Sequence, residues 1–201
     1  MRSRTQSRTA PPSDYPVILF KTPDAWERWL RQHHDDAPGV WLRLAKKDSG
    51  LTSISYLEAV EVALCYGWID GQKRPHDHSC WIQKFTPRGR RSSWSKINRE
   101  KAEALFRSGR MQPSGLAAIT LARQDGRWDA AYDSPRHAVV PPDFQAALER
   151  HAKAKAFFAT LSGANRYALV YRLQTAKRAA TRARRIEQFI DMLERGKTFH
   201  P

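Results

Sequence analysis

The chain has 201 residues, of which 35 are Lys or Arg and 20 are Asp or Glu, so its formal net charge is +15. Hydrophobic residues make up 41% of the chain, which is enough for a packed core and excludes a disordered polycation. Two cysteines exclude a disulfide framework, and the lack of a long apolar run excludes a membrane-spanning helix. No secretory signal is recognisable, so we expect a cytoplasmic protein, and no motif predicts a cofactor.

Two segments hold nearly all of the excess positive charge. Residues 73–110 carry a net charge of +8 and residues 150–201 carry +9, whereas residues 21–72 carry −2. Such blocks form either one positive face that attracts an anionic partner or two separate solvated faces. The sequence leaves both arrangements open.

In the N-terminal half, patterns of short strands alternate with patterns of helices. Residues 17–20 and 39–44 are typical of strands, because their apolar residues form a short run or alternate. A helix is predicted after Thr22, whose hydroxyl can cap the first turn. A second helix is predicted after Ser55, which begins a capping box, and Gly67 offers it a left-handed stop. The predicted apolar face of this helix consists of Leu57, Val60, Ala63 and Leu64.

The remaining patterns predict one hairpin followed by helices. Residues 68–70 and 80–85 predict the two hairpin strands. Helices are predicted from Ser93 or Ser95 to about 108, and over 115–124, 143–161, 165–175 and 181–194. The predicted fold class is α+β, with a small mixed sheet and packed helices in the N-terminal half and an all-helical C-terminal segment. We predict a disordered arm at 1–14, an α+β core at 15–110 and a helical segment at 111–201 packed on that core, with core and segment forming one structural domain.

The main candidate for binding is a segment in which arginines and serines meet a predicted helix start. Its candidate residues are Arg88, Arg90, Arg91, Ser93, Ser95 and Lys96. A helix N-terminus favours anions, and guanidinium groups bind phosphate or carboxylate with paired hydrogen bonds. The sequence leaves two interpretations open: a site for an anionic ligand or protein partner, and a structural corner of ion pairs.

The start of the last predicted helix is a second candidate of the same kind. Thr181 is predicted to cap it, and Arg182 and Arg185 lie in its first turn, where their charge opposes the helix dipole. Non-specific nucleic-acid binding stays an alternative because of the charge, although the sequence has no recognition helix and no RNA-binding motif.

Two further candidates concern catalysis and metal binding. Asp70, which follows Trp68 among apolar residues, is a candidate acid or base for an uncharacterised enzyme with a cationic arginine pocket, or else the partner of a nearby arginine. His76, His78 and Cys80 would project to one side of a strand and could hold zinc, but they lie at a turn and a fourth ligand is not evident. We predict a binding protein rather than an enzyme, without a bound metal.

A series of short motifs runs through the chain from about residue 17. They are Cys65–Gln72, Phe85–Arg88, Ser93–Ser95, Gly109–Met111, Asp125–Trp128, Asn165–Tyr167 and Thr181–Ile186. In these motifs the chain resembles the bacteriocin-protection, YdeI/OmpD-associated protein family. The resemblance implies a role in resistance to cationic antimicrobial peptides, in association with an outer-membrane porin, and it implies no reaction or catalytic residue. Its signature positions are Trp68, Asp70, Arg88, Trp94, Asn165, Arg166, Arg182 and Arg185, which adds Arg166 as an anion-binding candidate and Trp68 and Trp94 as aromatic candidates.

Overall fold

The computed structural model describes residues 15–200, and the predicted arm at 1–14 lies outside them. It confirms the α+β class, because all four strands lie in the N-terminal half and the C-terminal part is helical. The strands are β1 (Val17–Ile18), β2 (Val40–Ala45), β3 (Trp68–Pro75) and β4 (Cys80–Pro87). The helices are α1 (Pro23–His33), α2 (Tyr56–Cys65), α3 (Lys96–Arg107), α4 (Pro113–Gln124), α5 (Pro142–Arg150), α6 (Ala152–Thr160), α7 (Gly163–Gln174) and α8 (Ala179–Glu194).

The chain divides into two compact units. Among residues 15–200, unit 1 comprises 15–92 and Glu100–Asp125, and unit 2 comprises Ser93–Arg99 and 126–200. Within the described residues, unit 1 holds the sheet, α1, α2, α4 and most of α3. Unit 2 holds α5 to α8 and the first residues of α3.

The sheet of unit 1 has the strand order β1-β2-β4-β3. β1 runs parallel to β2, and the other neighbouring strands are antiparallel, so the sheet is mixed as predicted. The β3–β4 hairpin is irregular between Asp70 and Lys73. There Gln83, which is 3% exposed, donates from Nε2 to the Gly71 carbonyl over 2.8 Å. This hydrogen bond offsets the cost of burying a polar side chain.

The predicted helix starts of unit 1 are confirmed. Thr22 Oγ1 accepts the Ala25 amide at the start of α1, and the capping box at Ser55 begins α2. Gly67 follows α2 with a φ of +71°, a left-handed conformation that suits glycine. The prediction that Leu57 lies on the buried face of α2 is wrong. Leu57 is 60% exposed, because the residues of α2 become buried only after its first turn.

Unit 2 has its own hydrophobic core, which α5 to α8 enclose. Its members include Phe144, Leu148, Leu169, Leu173, Phe189 and Ile190. The last helix starts two residues before the predicted Thr181, and its N-cap Arg178 makes no side-chain capping bond. Ala179 and Ala180 are strong helix formers, which explains the longer helix. Among the helices of residues 15–200, none combines the length and the apolarity that a bilayer crossing needs.

Candidate functional site

A cavity of about 650 Å³ in unit 1 has four cationic residues in its lining. Its lining consists of Ala45, Lys46, Lys47, Lys73, Arg74, Pro75 and Trp81. We call it the cationic cavity. Within residues 15–200 no acidic side chain lines it, and its volume lies in the range of small-molecule sites.

The register of the sheet brings these residues together. Trp81 of β4 pairs with Leu44 of β2 on one side and with Pro75 of β3 on the other. Side chains alternate along a strand, so Lys73 lies on the same face of the sheet as Trp81, and Arg74 lies on the opposite face. Directly after Lys46 and Lys47, which follow β2, Asp48 adopts a φ of +60°, which turns the chain. Aspartate adopts this left-handed conformation at a lower cost than most residues do.

Neutral groups hold three of the four cations in place. The Nζ atom of Lys73 lies 4.2 Å from the centroid of the Trp81 ring, and the guanidinium carbon of Arg74 lies 5.1 Å from that of Trp41. Lys46 Nζ donates to the carbonyl of Asp77 over 2.7 Å. Rings and carbonyls orient a cation without cancelling its charge. An anion that enters the cavity therefore meets positive charge that these contacts leave in place.

Asp77 organises the turn between β3 and β4, next to this cavity. Its Oδ1 accepts hydrogen bonds from the hydroxyl and the amide of Ser79 and from the amide of Cys80, each 2.8 Å long. Its Oδ2 lies 3.5 Å from Nη2 of Arg43. The hydrogen bonds, led by that from the Ser79 hydroxyl, hold the pKa of Asp77 well below its usual range.

The metal-ligand candidates only partly meet at this turn. Possible ligand atoms of His76, Asp77 and Cys80 lie within 4.8 Å of one another, and His78 is not in this group. However, Arg43 Nε donates to Cys80 Sγ over 3.4 Å. The guanidinium occupies the space beside both the thiol and the carboxylate, and its charge opposes that of a metal cation. The geometry is that of an ion-paired turn.

The predicted anion-binding segment at the start of α3 is divided between the two units. In unit 1, Arg90 and Arg91 are exposed. The amide of Arg88 donates to the carbonyl of Gly67 over 2.9 Å, and the Nε and Nη2 atoms of Arg88 are shielded from solvent. In unit 1, Arg90 and Arg91 therefore present their charge to solvent, whereas half-buried Arg88 has two shielded guanidinium nitrogens.

The part of this segment in unit 2 begins α3. Ser95 Oγ accepts the amide of Asn98 over 3.1 Å, which confirms its predicted capping role, and Ser93 is half-buried. Lys96 Nζ lies 2.6 Å from Oδ1 of Asp133. The Lys96 ammonium holds the pKa of Asp133 below its usual range. Within unit 2, a protein carboxylate thus neutralises Lys96.

Both aromatic candidates are core residues. Trp68 and Trp94 are each 1% exposed. Trp68 donates from Nε1 to the carbonyl of His34 over 3.2 Å and meets Trp26 edge-on. Trp94 packs against Trp128 with ring centroids 4.8 Å apart. These positions explain the two tryptophans by packing, since neither ring offers a face to a ligand.

Asp70, the candidate acid or base, is half-buried on β3. Its Oδ2 accepts the hydroxyl of Tyr56 over 2.8 Å. Asp70 lines neither the cationic cavity nor a second cavity found in unit 2. Neither cavity therefore gives this carboxylate the space for a substrate.

The arginine candidates of the C-terminal segment bind groups of unit 2 itself. Arg182 forms a bidentate pair with Asp143, with distances of 2.6 and 2.8 Å, and its Nη1 donates to the carbonyl of Leu173. Arg185 donates to the carbonyl of Arg172. Both carbonyls lie in the last turn of α7, where a helix leaves its own acceptors without intrahelical donors. Thr181 lies half-buried inside α8.

Arg166 has a similar role at another helix end. Its Nη2 donates to the carbonyl of Ala159 near the end of α6, and its guanidinium lies over the ring of Phe158. Basic side chains at helix C-termini stabilise the exposed carbonyls and the dipole. This contact accounts for the arginine without a ligand.

Two protein-family models match different parts of the chain. Residues 18–118, half of the sequence, match the family model described as a domain of unknown function, DUF8412. The chain belongs to the DUF8412 family. Residues 137–196 match a second family model, described as bacteriocin-protection, YdeI or OmpD-associated, which confirms the resemblance seen in the motifs. No curated protein and no solved structure matches the chain.

The DUF8412 match includes every residue that lines the cationic cavity. Sequence reasoning missed this site, because Lys46 and Lys47 belong to a segment whose net charge is −2. The only signal was the position of two pairs of neighbouring cationic residues. Lys46 and Lys47 directly follow a predicted strand, and Lys73 and Arg74 lie within the predicted hairpin. Placing Trp81 between these two pairs would have required the pairing register of the hairpin strands, which the sequence does not give.

Proposed function

We propose that the protein binds a small polyvalent anion in the cationic cavity. The observation that carries this proposal is the lining: four cationic residues, and no acidic one among residues 15–200. A polyvalent oxyanion accepts several charge-assisted hydrogen bonds at once, and these are stronger than neutral ones. Trp81 adds an aromatic surface, so an anion that carries a ring gains a further contact.

The charge of the chain bears on the role that its C-terminal family name suggests. At a net charge of +15, the protein repels cationic peptides over a long range. Direct capture of such peptides is therefore not what we propose. A contribution to protection would act through the anion that the protein binds.

Calorimetric titration of the full chain with pyrophosphate, inorganic phosphate and adenosine monophosphate at low ionic strength tests the proposal. We expect pyrophosphate to bind, and the double variant Lys47→Gln/Lys73→Gln to bind it at least about tenfold more weakly. One charge-assisted hydrogen bond contributes about 1.5 kcal/mol, and about 1.4 kcal/mol corresponds to a factor of ten. The matched control is Arg90→Gln/Arg91→Gln, which removes the same charge from exposed positions outside the cavity.

The two double variants separate the alternatives. Loss of binding in the Arg90/Arg91 variant alone would move the site to the segment predicted from the sequence. Equal weakening in both variants, with tight binding of a short single-stranded oligonucleotide, would mean general attraction of polyanions. If wild-type protein binds none of the three small anions at low salt, the proposed function is wrong.

A further inference from the structure

A second cavity, of about 510 Å³, lies within unit 2 along one side of α7. Two tyrosines, Tyr167 and Tyr171, and two basic residues, Arg172 and His200, supply its larger side chains. The rest of its lining is small: Pro135, Gly163, Ala164 and Ala168. Among residues 15–200, no acidic side chain lines this cavity either. We call it the tyrosine cavity.

Helix periodicity and a fixed C-terminal segment create this concavity. Small residues at 163, 164 and 168 share a side of α7 with the two tyrosines, so a hollow opens over them beside the rings. The wall that contains His200 is held by Asn165, which is 6% exposed. Its Oδ1 accepts the amides of Phe199 and His200 over 3.1 and 3.0 Å, and its Nδ2 donates to the His200 carbonyl.

The aromatic walls are fixed and uncharged. The rings of Tyr167 and Tyr171 have centroids 5.9 Å apart, and Tyr132 meets Tyr171 edge-on at 4.9 Å. The hydroxyl of Tyr167 donates to the carbonyl of Asp133 over 3.0 Å. Burial raises the pKa of Tyr167 to about 12, so this ring stays neutral at physiological pH. Rigid neutral rings are suited to contact with another planar ring.

Arg172 supplies a positive charge at the wall of the cavity. Arg172 donates from Nη1 to the carbonyl of Ala168 over 2.8 Å, and its guanidinium lies 4.0 Å from the centroid of the Phe199 ring. These contacts fix the cation without neutralising it. The cavity therefore combines ring surfaces with an oriented positive charge.

We propose that the tyrosine cavity binds a small aromatic carboxylate, with its ring against Tyr167 and Tyr171 and its carboxylate towards Arg172. This second site is independent of the anion site proposed in unit 1, because it has different residues and selects for a ring. Aromatic contacts, not charge alone, distinguish it from a general anion site.

Calorimetric or ligand-detected NMR titration with benzoate, cyclohexanecarboxylate and benzyl alcohol tests this inference on the full chain. We expect benzoate to bind several-fold to about tenfold more tightly than the saturated acid, and about tenfold more tightly than the neutral alcohol. The variant Arg172→Gln should reduce the preference for benzoate over benzyl alcohol. Equal affinity for benzoate and cyclohexanecarboxylate, or no binding of benzoate, would overturn the proposal.

A pair of alanine variants locates the binding. Ala164→Leu fills the cavity from an exposed position on α7 and should abolish benzoate binding. Ala156→Leu makes the same change at an exposed position on α6, outside the lining, and should leave binding unchanged. Circular dichroism checks that both variants are folded. Pyrophosphate binding should be unaffected in either, so the two proposed sites fail or succeed separately. Benzoate binding that survives Ala164→Leu would place the ligand elsewhere.

Discussion

The bidentate pair of Asp143 and Arg182 joins two helix starts within unit 2. Asp143 lies in the first turn of α5, where its charge favours the helix dipole. Arg182 lies near the start of α8, where its charge opposes the dipole, and the carboxylate offsets this effect. The Arg182 guanidinium holds the pKa of Asp143 below its usual range.

This pair predicts a pH dependence of stability. A carboxylate with a lowered folded pKa stabilises the protein above its unfolded pKa, about 3.9 for Asp, and loses that contribution as the pH falls through the folded pKa. Both partners are partly exposed, so we expect Asp143→Asn to lower the free energy of unfolding by only about 1 kcal/mol at neutral pH. The difference from wild type should shrink below about pH 4.

Urea unfolding of the full wild-type and Asp143→Asn chains at a series of pH values measures this difference in the free energy of unfolding. Asp129→Asn, at another exposed position of unit 2, is the control for the loss of one negative charge. A destabilisation by Asp143→Asn that stays constant into the acid range would contradict the assigned role of the pair.

At single residues, the sequence indicated which side chains carry charge but not what they bind. The basic first turn of α8 is visible in the sequence, whereas Asp143, which binds Arg182, is 39 residues away. The same holds for Lys96 and Asp133. Partners at such separations are set by tertiary packing, so a pattern of charges could not distinguish a ligand site from a structural pair.

Between secondary-structure elements, α4 approaches the end of α2 closely in unit 1. A Cβ atom at Gly115 of α4 would lie 2.3 Å from the carbonyl oxygen of Cys65, which is backbone. The same carbonyl accepts the amide of Gln112, so it is held in place. Gly115 is therefore required by packing and not by backbone conformation.

We expect Gly115→Ala to destabilise unit 1 by about 1–3 kcal/mol, the usual cost of overpacking. This cost exceeds the gain of up to about 1 kcal/mol that alanine brings inside a helix. Gly163→Ala is the matched control, because no atom lies within 4 Å of its Cβ position, and we expect a change within about 0.5 kcal/mol. Thermal and urea unfolding measure both. A neutral or stabilising Gly115→Ala would show that α4 does not press on α2 in this way.

Elements with local signals were the most predictable. The caps at Thr22, Ser55 and Ser95 act within three residues, so their helix starts could be read from the sequence. The start of α8 could not, because no side chain caps it and the helix extends to Ala179. The hairpin was predictable as a pair of strands, but its irregularity near Gly71 depends on Gln83 in the opposite strand.

For the whole molecule, the two family matches fall on different units. The match to the bacteriocin-protection, YdeI or OmpD-associated model lies entirely within unit 2, and most of the DUF8412 match lies in unit 1. Counting charge along the chain pointed to residues 73–110 and 150–201. The cationic cavity instead combines Lys73 and Arg74 from the first block with two lysines from a segment of net negative charge. Only the folded sheet brings these charges together.

The most direct test of the anion site is to record nitrogen–proton NMR spectra of the full chain while pyrophosphate is added. If the anion enters the cationic cavity, the indole N–H signal of Trp81 and the amides of Lys47 and Lys73 should shift and saturate together. The indole signal of Trp128, a buried residue of unit 2, should stay in place. Saturable shifts confined to Arg90 and Arg91, or shifts that never saturate, would contradict the account.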